Sequence, residues 1–77
     1  MNAQATEGFE VVVNGEPLRV PVGSSVADAV ALFAPSVTAG RGTAVALSEE
    51  VVPAGRWADT PVAAGDRLEV LQAVAGG

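Results

Sequence analysis

The first part of the chain has a β-forming segment on each side of an Asn-Gly pair, and the second of these segments alternates between apolar and polar residues. Residues 9–13 are rich in β-forming side chains and run directly into Asn14-Gly15, the strongest short-range signal for a β-hairpin. On the return segment, Leu18, Val20 and Val22 fall on one face of a strand. Prolines lie on its other face and have no N–H to donate, so this strand is predicted to have an unpaired outer edge.

The pattern then changes to a helical period. Ser25 and the acidic Asp28 are spaced as in a capping box, and the apolar residues that follow at i, i+3, i+4 and i+7 are Val26, Ala29, Val30 and Phe33. This spacing predicts one face of an amphipathic helix that ends before Pro35. Residues 36–42 are predicted to form a mobile loop because of their glycine and small polar residues.

The second half of the chain predicts three more strands. Residues 43–47 place Val45 and Leu47 inward and Ala44 and Ala46 outward, and a short strand follows over residues 50–53. Trp57 is expected to cover the end of the core. After a turn at residues 64–66, the strand over residues 67–71 alternates again. The order β-β-α-β-β-β predicts an α+β protein with the ubiquitin-like β-grasp, a mixed sheet of about four to five strands crossed by one helix.

The chain divides into three predicted parts. Residues 1–8 are a flexible N-terminal extension, residues 9–71 the β-grasp domain, and residues 72–77 a flexible C-terminal tail that ends in Gly76-Gly77. Glycine lacks the Cβ that would clash with the walls of a narrow channel. Fully extended, the tail reaches about 20 Å. The terminal carboxylate of Gly77 can therefore enter the active site of another protein.

Composition argues against catalysis by the chain itself. The 77 residues include no cysteine, no histidine and no lysine, so the usual thiol, imidazole and amine catalysts are absent. Zinc prefers cysteine or histidine ligands, and the carboxylates are scattered, so no catalytic or metal-binding residue is predicted. We therefore expect the chain to be a substrate of enzymes and not an enzyme itself.

Charge and hydropathy narrow the choice of partner and compartment. The net charge is −5, with four arginines as the basic residues, which disfavours nucleic acid as a partner. No apolar run reaches the length of a transmembrane helix, and residues 1–8 show no signal peptide. A cytoplasmic protein with no membrane contact is expected.

Several segments resemble the ThiS family, the sulfur carriers of thiamine biosynthesis. The segments are Val51-Val52-Pro53, Trp57, residues 65–70 and the ending Ala73-Val74-Ala75-Gly76-Gly77. The resemblance covers residues 9–77 and is densest from Val45 onward. The chain departs from the family at Ser48-Glu49, where family members usually turn through Asn-Gly.

The resemblance implies a chemical role for the C-terminus. An ATP-using enzyme related to ubiquitin activators would adenylate Gly77, and a persulfide donor would convert it to a thiocarboxylate for thiazole synthase. The chain would be a protein co-substrate with no bound cofactor. The absence of cysteine fits, because a thiol on the carrier would only add side reactions.

The residues themselves suggest how partners would bind the chain. Gly76, Ala75 and Val74 would be threaded into the partner, pairing through the backbone as an added strand. Leu71, Ala44 and Ala46 are candidates for a docking patch beside the tail, although ordinary surface exposure explains such residues equally well.

Three other functions remain open. The small subunit of molybdopterin synthase shares the fold and the Gly-Gly ending but usually has a Pro-Pro-rich lead-in, which residues 71–74 lack. A carrier for another sulfur-inserting pathway would have the same tail. A β-grasp interaction module or protein modifier would use the glycines differently or not at all.

Overall fold

A five-stranded mixed sheet with one α-helix packed against it forms the framework of residues 7–35 and 42–72, which a computed structural model of the protein describes. The predicted mobile loop falls largely outside these residues, as does most of the predicted N-terminal extension. The elements, in chain order, are β1 (Gly8–Val13), β2 (Glu16–Pro21), α1 (Val26–Phe33), β3 (Thr43–Leu47), β4 (Glu50–Val52), a 3₁₀ helix (Ala54–Asp59) and β5 (Arg67–Gln72).

The strands follow the order β2-β1-β5-β3-β4 across the sheet. β1 and β5 are parallel, whereas each of the other neighbouring pairs is antiparallel. This arrangement confirms the predicted α+β class and the mixed sheet. It also places the last strand in the middle of the sheet, between the two hairpins.

The hairpin of β1 and β2 forms as the Asn-Gly signal predicts. Asn14 and Gly15 have φ angles of 52° and 83°, the left-handed conformation that a two-residue hairpin turn requires. In the register of the hairpin, Pro17 and Pro21 occupy non-hydrogen-bonded positions, so their backbone nitrogens point away from β1. β2 is an edge strand, so the prediction of an unpaired outer edge is confirmed.

The helix begins at the predicted capping box. The backbone N–H of Ser25 donates to Asp28 Oδ2 over 2.9 Å, and the N–H of Asp28 donates to Ser25 Oγ over 3.2 Å. Val26, Ala29 and Val30 are buried. Phe33 is half-buried and ends the helix two residues before Pro35. The predicted helix face therefore packs onto the sheet.

One apolar core lies between the sheet and the helix. The strands contribute buried side chains from their inward positions: Val11, Val13, Val20, Val45, Leu68 and Val70. Trp57 was expected to cover the end of the core, but it is 3% exposed and forms part of the core itself. Its indole N–H donates to the carbonyl oxygen of Val52 over 2.8 Å. The 3₁₀ helix that carries it was not predicted from the sequence.

Four details differ from the predicted elements. The fourth strand stops one residue short of Pro53, and Val22 lies beyond the end of β2 and is 64% exposed, so the predicted inward face does not extend to it. β1 begins at Gly8, one residue earlier than expected, and β5 continues to Gln72, one residue later. The extra residue of β5 is paired with Thr43 of β3. Ordered pairing therefore reaches the residue at which the predicted tail was taken to start.

Candidate functional site at the root of the C-terminal tail

β5 leads the chain towards its C-terminus from the middle of the sheet. Leu71 pairs with Ala44 and Gln72 pairs with Thr43, both on β3. Gln72 is the last residue that the structure describes before the end of the chain. The residues predicted to carry and thread the sulfur, Gly77, Gly76, Ala75 and Val74, lie outside the described residues.

Four apolar side chains beside this point form a surface that we call the outer-face patch: Ala44, Ala46, Val51 and Leu71. Ala44 is directly opposite Leu71, and Ala46 is directly opposite Val51. Leu71 is 65% exposed and Val51 is 74% exposed, while Ala46 is half-buried. The structure thus brings together the three predicted docking residues on the sheet face opposite the core.

Val51 is a member of the patch that the sequence reasoning missed. Its neighbour Val52 is half-buried and packs against the core, so Val51 must point to the opposite face. The alternation within β4 contained this signal. However, only the pairing of β4 with β3 shows that Val51 stands next to Ala46.

Charged side chains border the patch. Glu69 pairs with Ala46, and Arg67 is two residues earlier on the same face of β5. Both are exposed. Glu49, in the turn between β3 and β4, lines the same surface groove as these two residues. An apolar centre with a charged rim is the usual composition of a protein–protein interface.

A second contact lies on the other edge of β5, where it meets the turn of the first hairpin. The side-chain amide of Asn14 accepts a hydrogen bond from the backbone N–H of Val70 over 2.8 Å and donates one to the carbonyl oxygen of Val70 over 3.1 Å. The sequence reasoning treated Asn14 as a turn residue alone. No feature of the local sequence reveals a contact between residues 56 positions apart.

Two other kinds of site are absent from the part of the chain that the structure describes. Across residues 7–35 and 42–72, no group of three or more Asp, Glu, His or Cys side chains is placed to hold a metal ion. Within the same ranges, no helix has both the length and the hydropathy needed to cross a membrane.

The sheet order, the packed helix and the position of the last strand define a ubiquitin-like β-grasp domain. An apolar surface lies beside its outgoing chain. The chain belongs to the ThiS family, whose model matches residues 2–77. The resemblance noted in the sequence is therefore confirmed over almost the whole chain.

A solved structure agrees with this assignment. The chain is similar to the thiamine biosynthesis protein (ThiS) from Geobacter metallireducens, with a TM-score of 0.68 and 27% sequence identity over 90% of this chain and 100% of that one. No curated protein sequence matches the chain.

Proposed function

We propose that this protein is the sulfur carrier for thiazole formation in thiamine biosynthesis. Membership of the ThiS family supports a sulfur-carrier role, and the similar structure is that of a thiamine biosynthesis protein. The observation that carries the proposal is the extent of the family match, which runs through residue 77 and so includes the terminal Gly76-Gly77.

The proposed chemistry takes place at the carboxylate of Gly77. An oxygen of the carboxylate attacks the α-phosphorus of ATP in a partner enzyme, which releases pyrophosphate and leaves an acyl adenylate. The terminal sulfur of a cysteine persulfide on the donor then attacks the acyl carbon, and AMP leaves. A thiol then attacks the donor-cysteine sulfur of the resulting acyl disulfide. Gly77 keeps the other sulfur as a thiocarboxylate, and the attacking thiol and the donor cysteine become joined as a disulfide.

The chain supplies a docking surface and a reactive end, and its partners supply the catalysis. The partners are an adenylating enzyme related to ubiquitin activators, a persulfide donor and a thiazole synthase. ATP is a substrate of the adenylating enzyme and is not held by the carrier, and the reaction belongs in the cytoplasm. Gly76 passes through the narrow end of the partner's channel because it has no side chain, and Ala75 and Val74 pair with the partner through the backbone as an added strand.

The outer-face patch is suited to hold the carrier while the tail is engaged. Leu71 and Val51 are the two large apolar side chains of this face that are more than half exposed. Leu71 also lies on the strand that leads into the tail, six residues before Gly77. A partner that covers the patch therefore has the root of the tail at its surface.

The first experiment tests the chemistry by intact-mass spectrometry. With ATP, a cognate adenylating enzyme and a persulfide donor, the protein should gain about 16 Da at Gly77 as sulfur replaces oxygen. Deletion of Gly77, or Gly76→Val, should abolish or sharply reduce the gain because the carboxylate no longer reaches its reaction geometry. Gly55→Val is the matched control, since a Cβ at Gly55 meets no atom within 4 Å.

Two outcomes would contradict the proposal. One is an unmodified wild-type protein in the presence of a partner that is demonstrably active. The other is a Gly77 deletion that still acquires sulfur. Either result would favour an interaction module, whereas transfer of the sulfur to a molybdopterin precursor in place of a thiazole precursor would favour the other carrier pathway.

A second experiment tests docking. Leu71→Glu and Val51→Glu should each raise the KM of the adenylating enzyme for the carrier by about tenfold with little change in kcat. They weaken binding of the carrier equally in the ground state and in the transition state. Leu32→Glu is the matched control, since Leu32 is 52% exposed on the helix, outside the patch. If all three variants behave alike, the patch has no specific role.

A further inference from the structure

Asn14 extends the parallel ladder between β1 and β5 beyond the end of β1. Three carbonyl oxygens at alternate positions accept from the β1 side, one from the residue just before β5 and two from within it. Asp66 accepts from the N–H of Val12 over 2.8 Å, and Leu68 accepts from the N–H of Asn14 over 2.9 Å. The third, Val70, accepts from the side chain of Asn14 over 3.1 Å. A side chain therefore provides the rung that the backbone of β1 would otherwise have supplied.

The carboxamide of Asn14 replaces a peptide group in both directions. It has one carbonyl oxygen and one NH₂ group, so it can accept and donate as a peptide does. Here its Oδ1 accepts from the Val70 N–H over 2.8 Å while its Nδ2 donates to the Val70 carbonyl. The backbone of β1 cannot do this, because it turns into the hairpin at Asn14 with a φ of 52°.

The position of this rung links it to the end of the chain. Val70 is followed directly by Leu71 of the outer-face patch and then by Gln72, the last residue of β5. On its other edge, this stretch pairs with β3. Asn14 thus holds the second edge of β5 just before the tail begins.

We propose that Asn14 is a positioning residue that fixes the root of the tail, so that the tail leaves the docked domain from a constant point. This inference rests on the proposed carrier function. Without Asn14, the last stretch of β5 is held by β3 alone. The outer-face patch can still bind the partner, but the terminal carboxylate starts from a less constrained root and reaches its reaction geometry less often.

Two variants separate this role from the turn that Asn14 also forms. Asn14→Gly keeps a turn that readily adopts a positive φ and removes both side-chain bonds. Asn14→Asp also tolerates this backbone conformation and keeps an acceptor for the Val70 N–H, but it places an oxygen against the Val70 carbonyl. Ser25→Ala is the control, because it removes the helix capping box and so lowers stability without touching β5.

Two measurements are made on each variant. The first is the kcat and KM of sulfur acquisition, followed by intact mass with the cognate adenylating enzyme. We expect kcat to fall about three- to tenfold in Asn14→Gly and by less in Asn14→Asp, which keeps one of the two bonds, with an unchanged KM in both. The second is hydrogen exchange at the Val70 amide, which should become at least about tenfold faster in Asn14→Gly and stay slow in Asn14→Asp.

The outcomes distinguish the two proposals. If the wild-type protein gains no sulfur from an active partner, the carrier function is refuted, and a role for Asn14 in delivery falls with it. If the wild type works and Asn14→Gly retains its kcat despite an exposed Val70 amide, the inference about Asn14 alone is wrong. An equal loss of kcat in Ser25→Ala would also overturn it, because the effect would then follow from stability.

Discussion

The turn between β3 and β4 holds two residues in a backbone conformation that neither favours. Ser48 and Glu49 have φ angles of 50° and 72°, in the left-handed region where a side chain crowds the backbone. The first hairpin meets the same requirement with Asn14-Gly15. We predict that Ser48→Asn combined with Glu49→Gly stabilises the protein.

The expected gain follows from two opposing terms. A left-handed conformation costs about 1–2 kcal/mol for an ordinary residue, and glycine removes this cost at position 49. Glycine also gives the unfolded chain more freedom, which offsets about 0.5–1 kcal/mol. Asparagine at position 48 relieves part of a similar cost because it enters this region more readily than serine. The double variant should therefore be about 1 kcal/mol more stable.

Urea denaturation followed by tryptophan fluorescence measures this difference directly. Trp57 is the one tryptophan of the chain and is buried, so its emission reports on loss of the core. With an m-value of about 1 kcal/mol/M for a small protein, the midpoint should rise by about 1 M. The m-value itself should not change, since the buried surface is the same.

Glu49→Gln separates the backbone from the charge. It removes the negative charge and keeps a side chain at the strained position, so its midpoint should match that of the wild type. If Glu49→Gln were as stabilising as the double variant, relief of charge repulsion would be the cause. A double variant with an unchanged or lower midpoint would refute the conformational argument altogether.

Two further predictions concern the core and are tested by urea denaturation. Val30→Ala, at a helix position that is 3% exposed, should lower the free energy of unfolding by about 2–3 kcal/mol through lost burial and a residual cavity. Leu32→Ala on the exposed side should change it by less than about 0.5 kcal/mol. Equal effects of the two substitutions would mean that the helix face is assigned wrongly. Trp57→Phe, followed by circular dichroism, should cost at least about 1 kcal/mol because the carbonyl of Val52 loses its indole donor, and an unchanged midpoint would mean that water replaces the indole freely.

The elements that local chemistry determines could be predicted from the sequence. Asn14-Gly15 favours one hairpin turn whatever surrounds it, and the Ser25 and Asp28 pair starts a helix through bonds that span three residues. Strict alternation also identified the inward faces of β3 and β5. In each case the interacting groups are close together in the chain.

The features that were missed depend on contacts between distant parts of the chain. The insertion of β5 between β1 and β3 leaves no mark on residues 67–72, because a central strand and an edge strand can share one alternating pattern. Val51 could not be assigned to the patch until β4 was paired with β3. The second role of Asn14 is hidden because its partner, Val70, lies 56 residues away.

The central position of β5 has a mechanical consequence. In the proposed function, a partner that draws the C-terminus into its channel would pull along the axis of β5, which is bonded to β1 on one side and to β3 on the other. An edge strand under tension can peel away one bond at a time, whereas a strand bonded on both sides and pulled along its length must shear its ladders together. The pulling force is therefore spread through the middle of the sheet, and the domain can stay folded while its end is held under load.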